Sequence, residues 1–305
     1  MIPLNKLQGS IVALVTPFTT SGEIDYLSLE TLLQLHLLND TDAIVISGTT
    51  GESPAFSLDE FSGLVGFVVE KIAGKIPVIA GSGSNATSRA ISLSQAAMEA
   101  GADGLLISNP YYNKPTDKGT ELYFKEIAAS VNLPIIMYNV PGRTGRNMSA
   151  DLILKLSQEV DNIVGVKEAS GDLQQVMDII AGKTEDFKVY SGEDNLAFPI
   201  ISLGGDGCIS VVANQIPGPF SQMIHAALKG ELDTARNLHY KYLNLMNLNF
   251  IETNPIPVKT SLHLMGLIGN NFRSPMCRME NPLNEADLLQ ELRHLNLIAE
   301  SVAHI

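Results

Sequence analysis

The chain has no tryptophan and only two cysteines in 305 residues. Two thiols cannot build the disulfide framework of a small secreted fold. Cys208 and Cys277, in apolar or mixed surroundings, are expected as small buried hydrophobes. No apolar run reaches the length of about 18 residues that a membrane-crossing helix needs. Positive charge is scarce: 20 Lys and Arg stand against 33 Asp and Glu, a formal net charge of −13. A surface of that sign repels nucleic acid and anionic membranes. The opening "MIPLNKLQGSIVALVTPF" has a single lysine, a short apolar run and no small-residue cleavage pattern. It reads as a first strand rather than a secretory signal, and a cytoplasmic location is the default expectation. Metal-binding histidine patterns are missing as well. His36, His225, His239, His263, His294 and His304 form no H-x-H or H-E-x-x-H and fall at no expected strand end. His36, in "LLQLHLLND", sits in a helical pattern and reads as structural. A ligand set made of Asp and Glu stays open at this point. No Walker A sequence occurs, and "GSGSN" at Gly81–Asn85 lacks the third glycine of a dinucleotide fingerprint.

What is present is an alternation. The composition, 45% hydrophobic and 17% charged, is that of an ordinary globular chain. Short apolar runs suggest strands at Ser10–Thr16, Ala43–Ser47, Pro77–Ala80, Gly104–Ser108, Pro134–Tyr138, Ile163–Lys167, Lys188–Ser191 and Gly207–Ser210. Most are continuous runs rather than alternating ones, as in parallel strands covered on both faces. Helical patterns separate them, among others Ser57–Ala73, Ser88–Ala100, Thr120–Ser130 and Ala150–Val160. Ser57-Leu58-Asp59-Glu60 has the form of a capping box. Eight strands alternating with helices fit a (β/α)8 TIM barrel. After about Ile216 the alternation stops and the remaining residues read as helices, including Pro217–Lys229, Leu232–Asn249 and Glu285–Val302. The expected division is a barrel core over residues 1–215 that carries the site and a helical C-terminal region, 216–305, packed on it.

In a barrel, active sites lie at the C-terminal ends of the strands. "IVGVKEASGD" places Lys167 at such an end, closing an apolar run. Thr49 and Thr50 follow the second strand in "SGTTGESP", Tyr111 and Tyr112 the fourth in "NPYYNKP", and Tyr138 and Arg143 stand in "YNVPGRTG". A neutral lysine amine attacks a ketone to form a Schiff base, which turns a ketoacid into an enamine nucleophile. Burial is one way to keep the amine neutral. Pairing of Lys167 with Glu168, or snorkelling out of the barrel, is the bland reading of the same residue. The threonine loop offers N–H and hydroxyl donors to a carboxylate, or is a turn and helix cap. Arg143 is a good bidentate carboxylate partner, or a surface arginine. Paired loop tyrosines are often packing or interface residues.

Taken in order, "GSIVALVTPF", "GTTGE", "PYYNKP", "YNVPGRTG", "VGVKEASGD", "SGED" and "GCISVVAN", from residue 9 to about 214, with "NPIPVK" beyond them, resemble the dihydrodipicolinate synthase family, a branch of the pyruvate-dependent class I aldolases. The resemblance implies a barrel with a helical C-terminal region, a homotetramer built as a pair of dimers, and no cofactor. It implies that pyruvate forms a Schiff base on Lys167 and condenses with L-aspartate 4-semialdehyde. Tyr138 would donate and accept protons, with Thr49 and Tyr112 completing a relay and Tyr112 reaching the neighbouring subunit's site. Thr50 would contact the pyruvate carboxylate, Ile209 would contribute its backbone, and Arg143 would receive the semialdehyde carboxylate. Relatives on this scaffold that cleave N-acetylneuraminate or sugar acids are the runner-up, and a non-catalytic ligand-binding barrel is a minor alternative.

One departure concerns regulation. Many members of the family bind lysine at a dimer interface. This chain keeps Ser53, Asn85 and Tyr111 at matching positions but has Phe61 and Arg89 where the lysine-sensitive pattern has a histidine and a glutamate. A cation facing a cation repels, so feedback inhibition is expected to be weak or absent.

Overall fold

The computed structural model describes residues 3–299. In chain order the strands and helices are β1 (Gly9–Ala13), α1 (Tyr26–Leu37), β2 (Ala43–Ile46), α2 (Leu58–Ile72), β3 (Val78–Gly81), α3 (Thr87–Glu99), β4 (Gly104–Ser108), α4 (Asp117–Ser130), β5 (Ile135–Asn139), α5 (Pro141–Thr144), α6 (Ala150–Glu159), β6 (Ile163–Glu168), α7 (Leu173–Gly182), β7 (Lys188–Ser191), α8 (Ala197–Ser202), β8 (Gly207–Ser210), α9 (Pro217–Leu228), α10 (Leu232–Leu248), α11 (Ile256–Leu264) and α12 (Pro282–His294). The strands are all parallel and close on themselves in sequence order, β8 pairing with β1. The architecture is the (β/α)8 barrel that the alternation predicts.

Local chemistry explains the boundaries. The capping box at α2 forms as read: the Glu60 N–H donates to Ser57 Oγ at 3.1 Å and the Ser57 N–H to Glu60 Oε2 at 3.1 Å. α3 stops because Gly101 takes a left-handed φ of +88°, and the N–H groups of Gly101 and Ala102 close back on Met98 and Ala97 at 3.1 and 3.0 Å. Pro77 and Pro134 then feed β3 and β4–β5 pairing through their carbonyls, which accept from Ile44 and Leu105. α12 starts earlier and ends sooner than the expected Glu285–Val302. Asn296, at φ 56°, sits just past its end, where a left-handed residue halts a helix. Residues 300–302 of that expectation lie outside the described residues.

Two apolar layers follow from strand alternation. One lies between barrel and helices and includes Val12, Ile44, Phe124 and Val166. The other fills the barrel with Leu4, Leu7, Ile11, Val45, Ile79, Ile136, Tyr138, Tyr190 and Ile209. The Tyr190 hydroxyl donates to the Leu7 carbonyl at 2.8 Å, inside the fully buried end. Acidic side chains pin the strand starts: Asp42 accepts from the Ser10 N–H at 2.7 Å, Asp103 from Val78 at 2.8 Å and Asp206 from Val189 at 2.9 Å. The opposite rim, at the strand C-termini, carries the polar groups of the candidate site.

His36 is structural, as expected. It is fully buried, its Nδ1 lies 2.9 Å from Thr41 Oγ1, and burial drives its pKa down to about 3. Cys208 is buried as expected, but Cys277 is exposed. It lies in the irregular segment between α11 and α12 and its thiol contacts Glu280 rather than a core.

Candidate active site

Val166 packs outward, so Lys167, next along β6, faces the barrel interior. Only 5% of the residue is exposed. Its register partner on β5 is Tyr138, and the Lys167 Nζ lies 4.4 Å from the centroid of that ring. The neighbouring acid, Glu168, points the other way. It accepts from Asn139 Nδ2 at 2.9 Å, Ser170 N at 2.8 Å and Gln175 Nε2 at 3.0 Å. The pairing of Lys167 with Glu168 is therefore not made. Gly192 at the end of β7 leaves room for the lysine stem: a Cβ there would lie 2.6 Å from Ala169 Cβ and 3.1 Å from Lys167 Cε.

The loop after β2 is tied down from several sides. Thr16 Oγ1 donates to the Gly51 carbonyl at 2.9 Å. Ser47 and Glu52 adopt left-handed φ values of 55° and 59°. Gly81 on β3 lets the loop approach, since a Cβ there would meet the Ser47 carbonyl oxygen at 2.3 Å. Thr50 is 2% exposed, and its Oγ1 accepts from Asn254 Nδ2 at 3.0 Å. Arg143 stands on the short helix α5 after β5 and donates to the Asn254 carbonyl at 3.1 Å.

Thr49, Thr50, Tyr138, Arg143 and Lys167 line one cavity of about 580 Å³ at the C-terminal mouth of the barrel. A second cavity of about 400 Å³ adjoins it, shares Thr49, Tyr138 and Arg143, and is also lined by Ser53, Phe61, Asn85, Arg89 and Tyr111. Ile209, fully buried in β8, lies in the apolar layer of the barrel interior and does not line either cavity. Tyr112 is 87% exposed, is held at φ 72° in the loop after β4, and also lines neither cavity. Its loop is fixed by Asn113, whose Nδ2 donates to the Asn85 carbonyl at 2.7 Å.

Sequence reasoning gave no role to several groups at this mouth. Glu193 lines the larger cavity, and Asp194 is buried beside it. Asp194 accepts from the Val212 N–H at 2.7 Å and so secures the chain leaving β8. Burial pushes both carboxyls up; the Lys167 charge opposes this in each, and for Glu193 the adjacent Asp194 adds to the rise. Asn254 and the buried pair Lys259–Glu52, at 2.5 Å, also belong here. The strings "SGED" and "NPIPVK" were the available signals.

The arrangement is a primary amine beside a phenol, with hydroxyl and guanidinium donors around a small cavity. That set can form a Schiff base with a ketoacid and hold carboxylates. The profile of the "Dihydrodipicolinate synthetase family" matches residues 6–291. The chain is 48% identical over 292 residues to the 4-hydroxy-tetrahydrodipicolinate synthase of Chlorobium phaeobacteroides, covering 96% of this chain and 98% of that protein. It is 46% identical to the enzyme of the same name from Aquifex aeolicus, over 95% and 98% of the two chains. The crystal structure of dihydrodipicolinate synthase from Aquifex aeolicus superposes with a TM-score of 0.94 at 45% identity, covering 97% of this chain and all of that one. The chain belongs to the dihydrodipicolinate synthetase family.

Proposed function

We propose that the chain is a lyase-class synthase that condenses pyruvate with L-aspartate 4-semialdehyde to give 4-hydroxy-tetrahydrodipicolinate, for diaminopimelate and lysine biosynthesis. The observation that carries this reading is the inward-facing Lys167, 4.4 Å from the Tyr138 ring, in a cavity shared with Thr49, Thr50 and Arg143. The near full-length likeness to synthases of that name supports it.

In this reading Lys167 Nζ attacks the pyruvate ketone, a C–N bond forms and water leaves. Loss of a methyl proton gives the enamine, whose carbon attacks the aldehyde of the second substrate. The aldehyde oxygen takes up a proton as the C–C bond forms. The amine of the semialdehyde then attacks the imine carbon, closes the ring and releases Lys167. Tyr138 moves the protons, since a phenol both donates and accepts. Thr49 and a Tyr112 supplied by a neighbouring subunit would complete the relay. The exposure of Tyr112 in the single chain fits a residue that serves another copy. A homotetramer built as a pair of dimers is the corresponding assembly. Thr50 holds the pyruvate carboxylate and Arg143 that of the semialdehyde, with Ile209 contributing its backbone to the pocket. The protonated imine formed on Lys167 acts as the electron sink, so the scheme calls on no cofactor or metal. The enzyme would work in the cytoplasm; among the described residues no helix is long and apolar enough to cross a membrane.

The test is turnover of pyruvate with L-aspartate 4-semialdehyde, with N-acetylneuraminate cleavage measured in parallel. Semialdehyde-dependent turnover is expected. Cleavage of N-acetylneuraminate without it would assign the chain to the lyase branch.

A further inference from the structure

Asn254 touches both halves of the proposed substrate site. It lies between α10 and α11, is 4% exposed, and lines the cavity that holds Lys167. Its side-chain Nδ2 donates to Thr50 Oγ1 at 3.0 Å, and its backbone carbonyl accepts from the Arg143 guanidinium at 3.1 Å. Its Oδ1 is buried and has no hydrogen-bond partner among the described residues. An asparagine placed only for packing would ordinarily satisfy that oxygen.

The segment is anchored to the same loop at a second point. Lys259, fully buried on α11, pairs with Glu52 at 2.5 Å, between the rings of Phe18 and Phe272. The Arg273 N–H adds a bond to the other Glu52 oxygen at 3.1 Å. The C-terminal region thus grips the turn that carries Thr49 and Thr50 at two residues, Thr50 and Glu52.

A hydroxyl has one proton to give and two lone pairs to fill. The Asn254 N–H fills a lone pair of Thr50 Oγ1 and leaves the proton free. A carboxylate can only accept, so a hydroxyl fixed in this sense is set to bind one. We propose that Asn254 is a positioning residue that fixes the Thr50 hydroxyl as a donor toward the pyruvate carboxylate, while its carbonyl aligns Arg143 for the second substrate. This rests on the reading of Thr50 as the pyruvate-carboxylate contact.

The test compares Asn254→Ala and Asn254→Asp, each also made with Thr50→Val, by kcat, by KM for each substrate and by thermal melting. Borohydride trapping of pyruvate on Lys167 is run alongside. Asn254→Ala is expected to raise the KM for pyruvate about 10-fold, the scale of one hydrogen bond to a charged group. Asn254→Asp has nearly the same shape but only accepts, takes the Thr50 proton and sets a negative charge beside the bound carboxylate. It is expected to raise that KM by about 100-fold, and it keeps the test open where Asn254→Ala lowers the melting temperature. With Thr50→Val present, Asn254→Ala should add less than about 2-fold, because the two act through one contact. A purely structural role would lower the melting temperature and leave the two variants in no such order. Asn254→Asp no worse than Asn254→Ala, or an undiminished loss beside Thr50→Val, overturns the proposal. Absence of a wild-type adduct at Lys167 overturns the site reading and this inference together. A normal adduct with unchanged pyruvate KM in both variants overturns the Asn254 role alone.

Discussion

Lys167 and Tyr138 are register partners on adjacent strands, and the amine of one stands 4.4 Å from the ring centroid of the other. Parallel pairing of β5 and β6 fixes this geometry without any loop. Tyr138→Phe keeps the ring and removes the hydroxyl. Turnover should fall by about 10²–10⁴-fold, the usual span of acid–base catalysis, with thermal stability nearly unchanged. Wild-type kcat in this variant would remove Tyr138 from the proton path.

Arg143 stands at the cavity mouth with one N–H donated to the Asn254 carbonyl, and its guanidinium has further N–H donors to offer a carboxylate. A hydrogen bond to a charged group contributes about 1.5–3 kcal/mol. Arg143→Ala should therefore raise the KM for the semialdehyde by roughly 10–100-fold. Pyruvate adduct formation should change little. A variant whose losses fall on pyruvate instead would reassign the residue.

Ser53, Phe61, Asn85, Arg89 and Tyr111, distant in sequence, surround the second cavity. Arg89 brings a positive charge to it and donates to the Phe56 carbonyl at 3.4 Å. Two like charges about 4 Å apart repel by roughly 4 kcal/mol at an effective dielectric near 20, and by less where solvent reaches them. Turnover measured against rising L-lysine should show no half-inhibition below about 1 mM, a level that corresponds to about −4 kcal/mol of binding. Stronger inhibition would mean that the cavity accepts the effector despite Arg89.

At the opposite end of the barrel, His225 Nε2 lies 2.7 Å from the Asp42 carboxylate, which also accepts from the Ser10 N–H. That hydrogen bond raises the imidazole above 6.5, with burial and Lys229 opposing and the Asp42 and Asp40 charges assisting. A raised basic pKa makes its stabilisation complete below the unfolded value and lost as pH rises through the folded one. The melting-temperature difference between wild type and His225→Gln should be larger near about pH 5.5 than near about pH 8.5. A difference independent of pH would show that the pair acts through shape alone.

How much of this was legible depends on whether a residue acts through a pattern or a contact. Lys167 stands out because an ammonium at the end of an apolar run breaks the strand pattern, and the barrel rule then gives it a location. Thr49, Thr50, Tyr138 and Arg143 follow from the same rule. α11 is not among the helices named from the pattern: it is short, and Pro255 and Pro257 stand at its start, where proline is tolerated in a first helical turn. The Asn254–Thr50 bond joins residues 204 apart, and a single polar contact at that separation leaves no periodicity to read. The Lys259–Glu52 pair is equally silent in the sequence: lysine is ordinarily exposed, and only the packed fold shows it fully buried. Tyr112 is legible as a loop aromatic, while its exposure and its left-handed φ of 72° are not dictated by residue type alone.

The most direct measurement is mass spectrometry of the protein after borohydride reduction in the presence of pyruvate. Reduction of the imine would leave a single reduced pyruvyl group, and digestion should locate it on the peptide containing Lys167. Lys167→Arg should give no adduct and no turnover. An adduct on another lysine, or full turnover with no adduct at all, would contradict the account.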